Sequence, residues 1–239
     1  QVYAKGATVR IYTKELELQA TGRNVAEGSQ AVLHGVRGAV AYATNGSLVA
    51  CALERVPGRL QVAFLERNGL RHGEFDIRVP PSVGDEKAAW RVDAMYWDLS
   101  TSMLAVGLKC DETKQGVVQL YHRGNYHWYL KQQFSGNKLS LLGFDSEVLG
   151  RLYMARVDEE EETAVLRTAD IEWDTVVTST AEASVAVTDG DRLLLTPLGR
   201  AVVPPPMSMY HAQLPGSCRH AAFFSASGNI HTNFTNGLL

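Results

Sequence analysis

Short stretches of alternating apolar and polar residues recur along the chain, and they constrain its fold more than any other sequence feature. Three of them, residues 8–12, 60–64 and 117–121, are rich in the β-branched and aromatic residues that favour strands. Glycine, asparagine, aspartate or proline follows each within a few positions. Sustained apolar spacing at i, i+3, i+4 and i+7, which indicates an amphipathic helix, is scarce. The pattern therefore predicts an all-β chain.

Turn signals and one ambiguous segment refine this prediction. Asn45-Gly46 and Asn68-Gly69 are the residue pairs that a tight type I′ hairpin prefers, and Asp189-Gly190 is a third signal of this kind. The segment 85–99 is the best helical candidate in the chain. Its later part, residues 92–97, fits a buried strand equally well, so both alternatives remain open.

A small repeated unit points to one all-β architecture. Five times, a turn residue is followed by any residue and then by an apolar residue that opens a buried run. The units are Gly46-Ser47-Leu48, Ser102-Met103-Leu104, Gly150-Arg151-Leu152, Asp191-Arg192-Leu193 and Gly228-Asn229-Ile230. They recur roughly every 40 to 55 residues, which is typical of propeller blades with three or four strands. We therefore predict a WD40-like β-propeller, and a partial one of about four blades, because a closed ring usually needs more.

Composition excludes several classes of protein. The 239 residues include 23 Lys+Arg and 26 Asp+Glu, a formal net charge of −3, and 45% are hydrophobic. This excludes a disordered polar chain and gives no overall positive field that would attract nucleic acid. Three scattered cysteines form no CxxC pair, which favours a reducing compartment. We expect a cytoplasmic protein, with the nucleus as a second location.

The sequence contains none of the common catalytic motifs. A GxSxG elbow, an HExxH pair, a GxGxxG loop and a GxxxxGK[ST] phosphate loop are all missing. His122 and His127 would point to opposite faces if they shared one strand. We therefore expect no enzyme, no catalytic residue, no cofactor and no metal site. A propeller hydrolase with clustered carboxylates in its central funnel is the rival interpretation.

One turn segment, residues 66–75, carries a small basic cluster. Arg67, Arg71 and His72 surround the Asn68-Gly69 turn beside two acidic residues. A solvated hairpin tip is one interpretation, and a contact with an anion or with RNA is the other. The three residues are therefore interaction candidates.

A second segment, residues 124–131, places Tyr126, His127, Trp128 and Tyr129 in consecutive positions. Strand alternation would put the first and third on one face and the other two on the opposite face. Either both faces are packed, or one is an exposed contact patch. With the basic cluster, these aromatic residues could also form a stacking platform for RNA.

Two low-complexity runs have local interpretations. The five consecutive acids of residues 158–162 suggest a solvated hairpin tip, with contact to a basic partner as the alternative. Three prolines at 204–206 suggest a rigid connection, with a ligand for a proline-recognition module as the alternative.

Three strings together resemble a known family. They are residues 66–75 (ERNGLRHGEF), 124–132 (GNYHWYLKQ) and 202–207 (VVPPPM). In order and separation they resemble the largest subunit of the Elongator complex, the IKAP family. The resemblance covers nearly the whole chain and fades mainly between residues 139 and 180.

The resemblance implies an architecture that periodicity alone does not give. The family subunit begins with two WD40-type propellers, followed by helical repeats and a dimerising region. Residues 1–239 would then be a partial propeller, made of the later blades of the first propeller and reaching toward the joint with the second. The dimerisation region would be absent from this chain, so this segment is not expected to dimerise.

The resemblance also implies a function. The family subunit is a noncatalytic scaffold that holds a radical-SAM acetyltransferase subunit and a second propeller subunit, and the complex modifies wobble uridines in tRNA. We expect tRNA to meet this segment only indirectly, and we expect no membrane contact. The alternative is a generic WD40-like peptide-binding module outside Elongator, which a list of partners would distinguish.

Overall fold

The computed structural model describes residues 2–5, 8–13, 15–21, 35–80, 89–158, 163–172, 177–179, 183–203, 207–223 and 230–235. Within these ranges the regular structure consists of strands, and twenty of them form six antiparallel sheets. The all-β prediction is confirmed. In the same ranges, no helix is long and apolar enough to cross a membrane.

Each sheet is a meander, in which strands that follow one another in the sequence are also hydrogen-bonded neighbours. Sheets 1 to 3 comprise β1 (Val2–Lys5), β2 (Thr8–Tyr12) and β3 (Leu18–Thr21); β4 (Val36–Tyr42), β5 (Leu48–Val56), β6 (Arg59–Glu66) and β7 (Arg71–Asp76); and β8 (Trp90–Trp97), β9 (Met103–Cys110), β10 (Gln115–Gly124) and β11 (His127–Asn137). Sheets 4 to 6 comprise β12 (Ser140–Phe144), β13 (Arg151–Asp158) and β14 (Thr163–Asp170); β15 (Val177–Ser179), β16 (Ser184–Asp189), β17 (Arg192–Pro197) and β18 (Tyr210–Gln213); and β19 (Ser217–Phe223) and β20 (Ile230–Thr235).

The first four sheets pack face to face in sequence order. Strand β5 shows why, because both of its faces are apolar and buried. Ala50 and Ala52 face sheet 3, whereas Val49 and Leu53 face sheet 1. Sheet 3 likewise packs against sheet 4 through a cluster that includes Leu120 of β10. An antiparallel sheet buried on both sides produces a continuous apolar run, and such a run follows the repeated unit in the sequence.

An aromatic cluster fills the space between sheets 2 and 3. Trp128 of β11 stacks on Phe64 of β6, with ring centroids 4.8 Å apart. Trp97 of β8 meets Trp128 edge-on at 5.6 Å, and its Nε1 donates to the backbone oxygen of Ala41 across the sheets. Phe75 of β7 contacts Trp128 at 5.6 Å. Offset and edge-on ring pairs of this kind add to the free energy of apolar burial.

The repeated unit opens the second strand of its sheet in three of its five occurrences. Leu48 opens β5, residues 103–104 open β9, and residues 151–152 open β13. The fourth unit instead opens β17, the third strand of sheet 5. The first two residues of the fifth unit lie outside the described residues.

The ambiguous segment 85–99 contains a strand. Strand β8 runs from Trp90 to Trp97 with alternating burial, so the helical interpretation is wrong for this part, and the strand alternative is confirmed for 92–97. Residues 85–88 lie outside the described residues. The strand is favoured over a helix because its alternating side chains can pack against the apolar surfaces of both neighbouring sheets.

The predicted type I′ turns at Asn45-Gly46 and Asn68-Gly69 are longer loops in the structure, whereas the third signal, at Asp189-Gly190, does lie at a two-residue turn. At 44–47 and at 67–69 only the glycine, Gly46 or Gly69, has a positive φ. Gly69 N donates to Glu66 O, and Glu66 N donates to Leu70 O, which is a three-residue loop with a glycine bulge. The two-residue turn with positive φ at both central residues occurs instead at Asn125–Tyr126, with φ values of 47° and 65°.

Removing the indole at the centre of the aromatic cluster should destabilise the chain. We expect Trp128→Ala to lower the free energy of unfolding by about 3 kcal/mol, since the substitution leaves a cavity among three rings. Urea unfolding followed by far-UV circular dichroism measures this change.

Tyr126→Ala is the matched control, because that ring lies two residues away and is 87% exposed. Its unfolding free energy should stay within about 0.5 kcal/mol of the unsubstituted chain. Equal losses for the two variants would contradict the packing described for Trp128.

Candidate interaction surface

Turns from sheets 2 and 3 lie together at one end of the sheets. In an antiparallel meander, alternate turns fall at the same end, so loop 43–47 lies beside loop 66–70, and loop 98–102 lies beside turn 125–126. Contacts of the Thr44 hydroxyl join the two pairs: its Oγ1 lies 3.2 Å from Asp98 O, to which it can donate, and 2.9 Å from Thr101 Oγ1. We call these four turns the end face.

A groove of about 580 Å³ crosses the end face, within the range of roughly 300–1,000 Å³ that ligand sites occupy. Sheet 2 and strand β10 of sheet 3 both contribute to its walls. Its lining consists of Asn45, Ser47, Leu48, Glu66, Arg67, Asn68, His72 and Arg123. We call it the end-face groove.

The structure separates the three members of the predicted basic cluster. Arg67 is exposed in the turn, and His72 lies beside it with Nδ1 3.2 Å from Glu66 Oε1. Both line the end-face groove. Arg71 does not, because its side chain is only 10% exposed and pairs with Glu74.

The aromatic segment is also divided. Tyr126 occupies the two-residue turn and His127 begins β11, both exposed. Trp128 packs in the aromatic cluster, and Tyr129 is buried on the other side of β11, where burial raises its pKa to about 12. The predicted pairing of Tyr126 with Trp128 on one strand face is therefore wrong, since Tyr126 precedes the strand. A role for any of these residues in binding stays a prediction.

Sequence reasoning missed Arg123. It lies at the end of β10, opposite Trp128 in the register of the β10–β11 hairpin, and its side chain is exposed. Among the described residues, neither Arg67 nor Arg123 forms an ion pair with a carboxylate. Arg123 joins the site through hairpin register, which also places His122 and His127 on two strands rather than one.

A buried carboxylate holds the end face together. Asp98 is fully buried, and its Oδ1 accepts a hydrogen bond from Met103 N at 2.9 Å. Its Oδ2 accepts from the backbone and side chain of Ser100. These hydrogen bonds fix loop 98–102. Thr44 of the neighbouring sheet contacts the backbone of that loop at Asp98 O.

Asp98→Asn tests this arrangement. An amide offers one acceptor oxygen where the carboxylate offers two, so one donor group is left unpaired, and we expect a loss of about 2 kcal/mol in unfolding free energy. Asp111→Asn is the control, because that carboxylate is 69% exposed and, among the described residues, its ion pair is with Arg91. An Asp98→Asn variant as stable as the control would refute the role assigned to Asp98.

A second polar site, at the outer strand of sheet 3, was not predicted. Asp189 ends β16, and its Oδ1 accepts from Leu130 N at 2.8 Å, while its other oxygen pairs with Arg78. Gly190 N donates to Leu130 O, and Lys131 Nζ donates to Thr188 O at 2.6 Å. We call residues Arg78, Leu130, Lys131, Thr188, Asp189 and Gly190 the clasp.

Glycine is the favoured residue at position 190 of the clasp. Its φ is +65°, and a Cβ there would lie 2.5 Å from a nitrogen of Arg78 and 3.0 Å from Leu130. The sequence signalled a turn at this position but not the contact. Two hydrogen bonds hold the backbone of Arg78 in place: its oxygen accepts from Gln119, and its nitrogen donates to the hydroxyl of Tyr121. Burial raises the pKa of Tyr121.

Comparison with known proteins gives the family. Residues 2–147 match the model of the ELP1 first N-terminal beta-propeller, and residues 187–239 match that of the ELP1 N-terminal second beta-propeller. The chain belongs to the Elongator complex protein 1 family. The resemblance noted in the sequence is thereby confirmed.

Individual relatives agree with this assignment. Putative elongator complex protein 1 of Xenopus laevis is 33% identical over 90% of this chain, and Elongator complex protein 1 of Saccharomyces cerevisiae is 29% identical over 98% of it. This chain spans only 17% and 16% of their lengths. Among solved structures, the beta-propeller domain of Cps50 (Swd1) from Myceliophteria thermophila is 11% identical, with a TM-score of 0.32, and covers 93% of this chain and 91% of that one. That superposition is too loose to add to the family match.

The clasp connects the two matched stretches. Arg78, Leu130 and Lys131 belong to the stretch that matches the first propeller, whereas Asp189 and Gly190 belong to the stretch that matches the second. The interpretation of residues 1–239 as one partial propeller stays a prediction. In the described part of the chain, no group of three or more His, Cys, Asp or Glu residues could hold a metal ion.

Arg78→Met should weaken the contact between the two stretches. The Arg78 and Asp189 side chains are only 29% and 15% exposed, so removing the cation leaves a largely buried carboxylate without its ion pair. We expect a loss of about 2 kcal/mol, measured by urea unfolding. Arg200→Met, at an exposed turn of sheet 5, should cost less than about 0.5 kcal/mol. Indistinguishable unfolding curves for these two variants would contradict the importance of the clasp.

Proposed function

We propose that this chain is a noncatalytic scaffold segment of the Elongator complex. Membership of the Elongator complex protein 1 family is the observation that carries the proposal. Through the parent protein, the segment would contribute to a complex that modifies wobble uridines in tRNA. It would act in the cytoplasm and hold other subunits in place without contacting tRNA itself.

The geometry supports a scaffold role. The aromatic cluster fixes sheet 2 against sheet 3. Hydrogen bonds of Thr44 and Asp98 then fix the end-face loops of these two sheets. A surface ordered before association loses less conformational entropy when a partner binds. Loops held on stacked sheets therefore suit the assembly of several proteins.

Family relatedness also indicates the partners to look for. We propose a radical-SAM acetyltransferase subunit and a second propeller subunit, as the family resemblance implies. These partners are proposed for the whole parent protein, since this chain corresponds to about one sixth of its relatives' length.

Affinity purification of the tagged full-length parent from its own cells tests the proposal. Mass spectrometry should recover both proposed subunits in amounts comparable to the bait. A soluble, folded bait that recovers neither would contradict the proposal and would leave a propeller module with a different, non-Elongator ligand.

A further inference from the structure

The end-face groove carries an excess of positive charge. Arg67 and Arg123 approach it from two different sheets, and neither is paired with a carboxylate among the described residues. Its one acidic residue, Glu66, already contacts His72 at 3.2 Å and Asn68 at 3.4 Å. The guanidinium groups therefore offer donors that do not pair with the one carboxylate of the groove, which His72 and Asn68 already contact.

The walls of the end-face groove are fixed before any partner arrives. Asn45 Oδ1 accepts from Ser47 N at 2.9 Å, and Asn68 Oδ1 accepts from Leu70 N at 2.9 Å. These hydrogen bonds order the two turns that carry the groove residues. Leu48, the first residue of β5, is 5% exposed and adds apolar surface to the groove lining.

The shape of the groove favours a macromolecular segment over a small anion. Its volume of about 580 Å³ is far larger than one phosphate or carboxylate group, and both arginines are exposed. Small-molecule sites usually bury most of their ligand. A chain that runs along the surface can instead meet both arginines at once, and guanidinium groups bind carboxylates through paired hydrogen bonds.

Protein is favoured over RNA as the occupant. Single-stranded RNA sites combine several cations with aromatic rings on which bases stack. Trp128 is partly buried and stacks on Phe64, Tyr129 is buried, and Arg71 is paired with Glu74, so all three are already engaged in contacts within the chain. The exposed ring of Tyr126 is not part of the groove lining.

We propose that the end-face groove binds an extended acidic segment of a partner protein, with Arg67 and Arg123 each receiving a carboxylate. The inference rests on the proposed scaffold function, because it names the chemistry of one contact in that assembly. Asn45, Ser47 and Asn68 line the same path and supply polar groups to the backbone of the bound segment.

The test uses the 239-residue chain and three fluorescein-labelled probes in a fluorescence anisotropy titration. The first probe is the peptide Gly-Ser-Glu-Asp-Glu-Glu-Ser-Gly. The second replaces its acidic residues with Gln and Asn, and the third is a ten-nucleotide oligouridylate. We expect the acidic peptide to bind at least tenfold more tightly than either of the other probes.

Charge reversal locates the binding. Arg67→Glu combined with Arg123→Glu should weaken binding of the acidic peptide at least tenfold. Arg167→Glu combined with Arg200→Glu makes the same change of charge at exposed positions outside the groove and should weaken it less than threefold. Unchanged far-UV circular dichroism and melting temperature establish that each variant is folded.

Three results would overturn the inference. They are no preference for the acidic peptide, equal losses in the two double variants, and tighter binding of the oligouridylate that is lost in the groove variant. The scaffold function is tested separately. If the full-length parent still recovers its proposed subunits but the groove does not bind the acidic peptide, the groove proposal fails and the scaffold function stands.

Discussion

Apolar packing between sheets 2 and 3 is the interaction on which the rest of the described structure depends. The strands β5 and β9 are buried on both faces over most of their length, so their side chains pack against the sheets on either side. In sheets 2 and 3, polar residues then reach solvent mainly at turns, at strand ends and on outer strands. The end face and the clasp lie at those two places, and both are held in position by the same stack, whose central aromatic contact is Trp128 on Phe64.

The clasp adds a polar constraint to this apolar one. A carboxylate that is largely removed from water needs partners for its charge, and Asp189 obtains an ion pair from Arg78 and a backbone donor from Leu130. Arg78 is in turn bound through its backbone to Gln119 and Tyr121. Because each group depends on the others, the two propeller-matching stretches meet in one defined arrangement.

Local patterns were predictable from sequence, whereas distant contacts were not. The alternation in 60–64 and the unit at 46–48 depend on period-two burial and on turn residues, which are properties of adjacent positions. The contact between Arg78 and Asp189 joins residues 111 positions apart, and one sequence holds no signal for such a pair. Arg123 required the hairpin register, which the two-residue turn at 125–126 sets.

The candidate site was partly predictable for the same reason. Arg67 and His72 could be identified as a basic cluster because they are near one another in the chain. The low exposure of Arg71 and its ion pair with Glu74 of the same strand depend on the folded geometry of β7, and the partial burial of Trp128 depends on rings of sheet 2. Family membership was recognisable from three strings in the sequence, but the contacts of those strings became visible only in three dimensions.

Hydrogen exchange of individual amides, followed by NMR in the 239-residue chain, tests most directly that the two propeller-matching stretches form one locked unit. The amides of Leu130 and Gly190 donate across the clasp, so their protection should approach that of Ala50 in the buried strand β5. Rapid exchange at Leu130 and Gly190 with full protection at Ala50 would show that the stretches open independently, and would contradict the account.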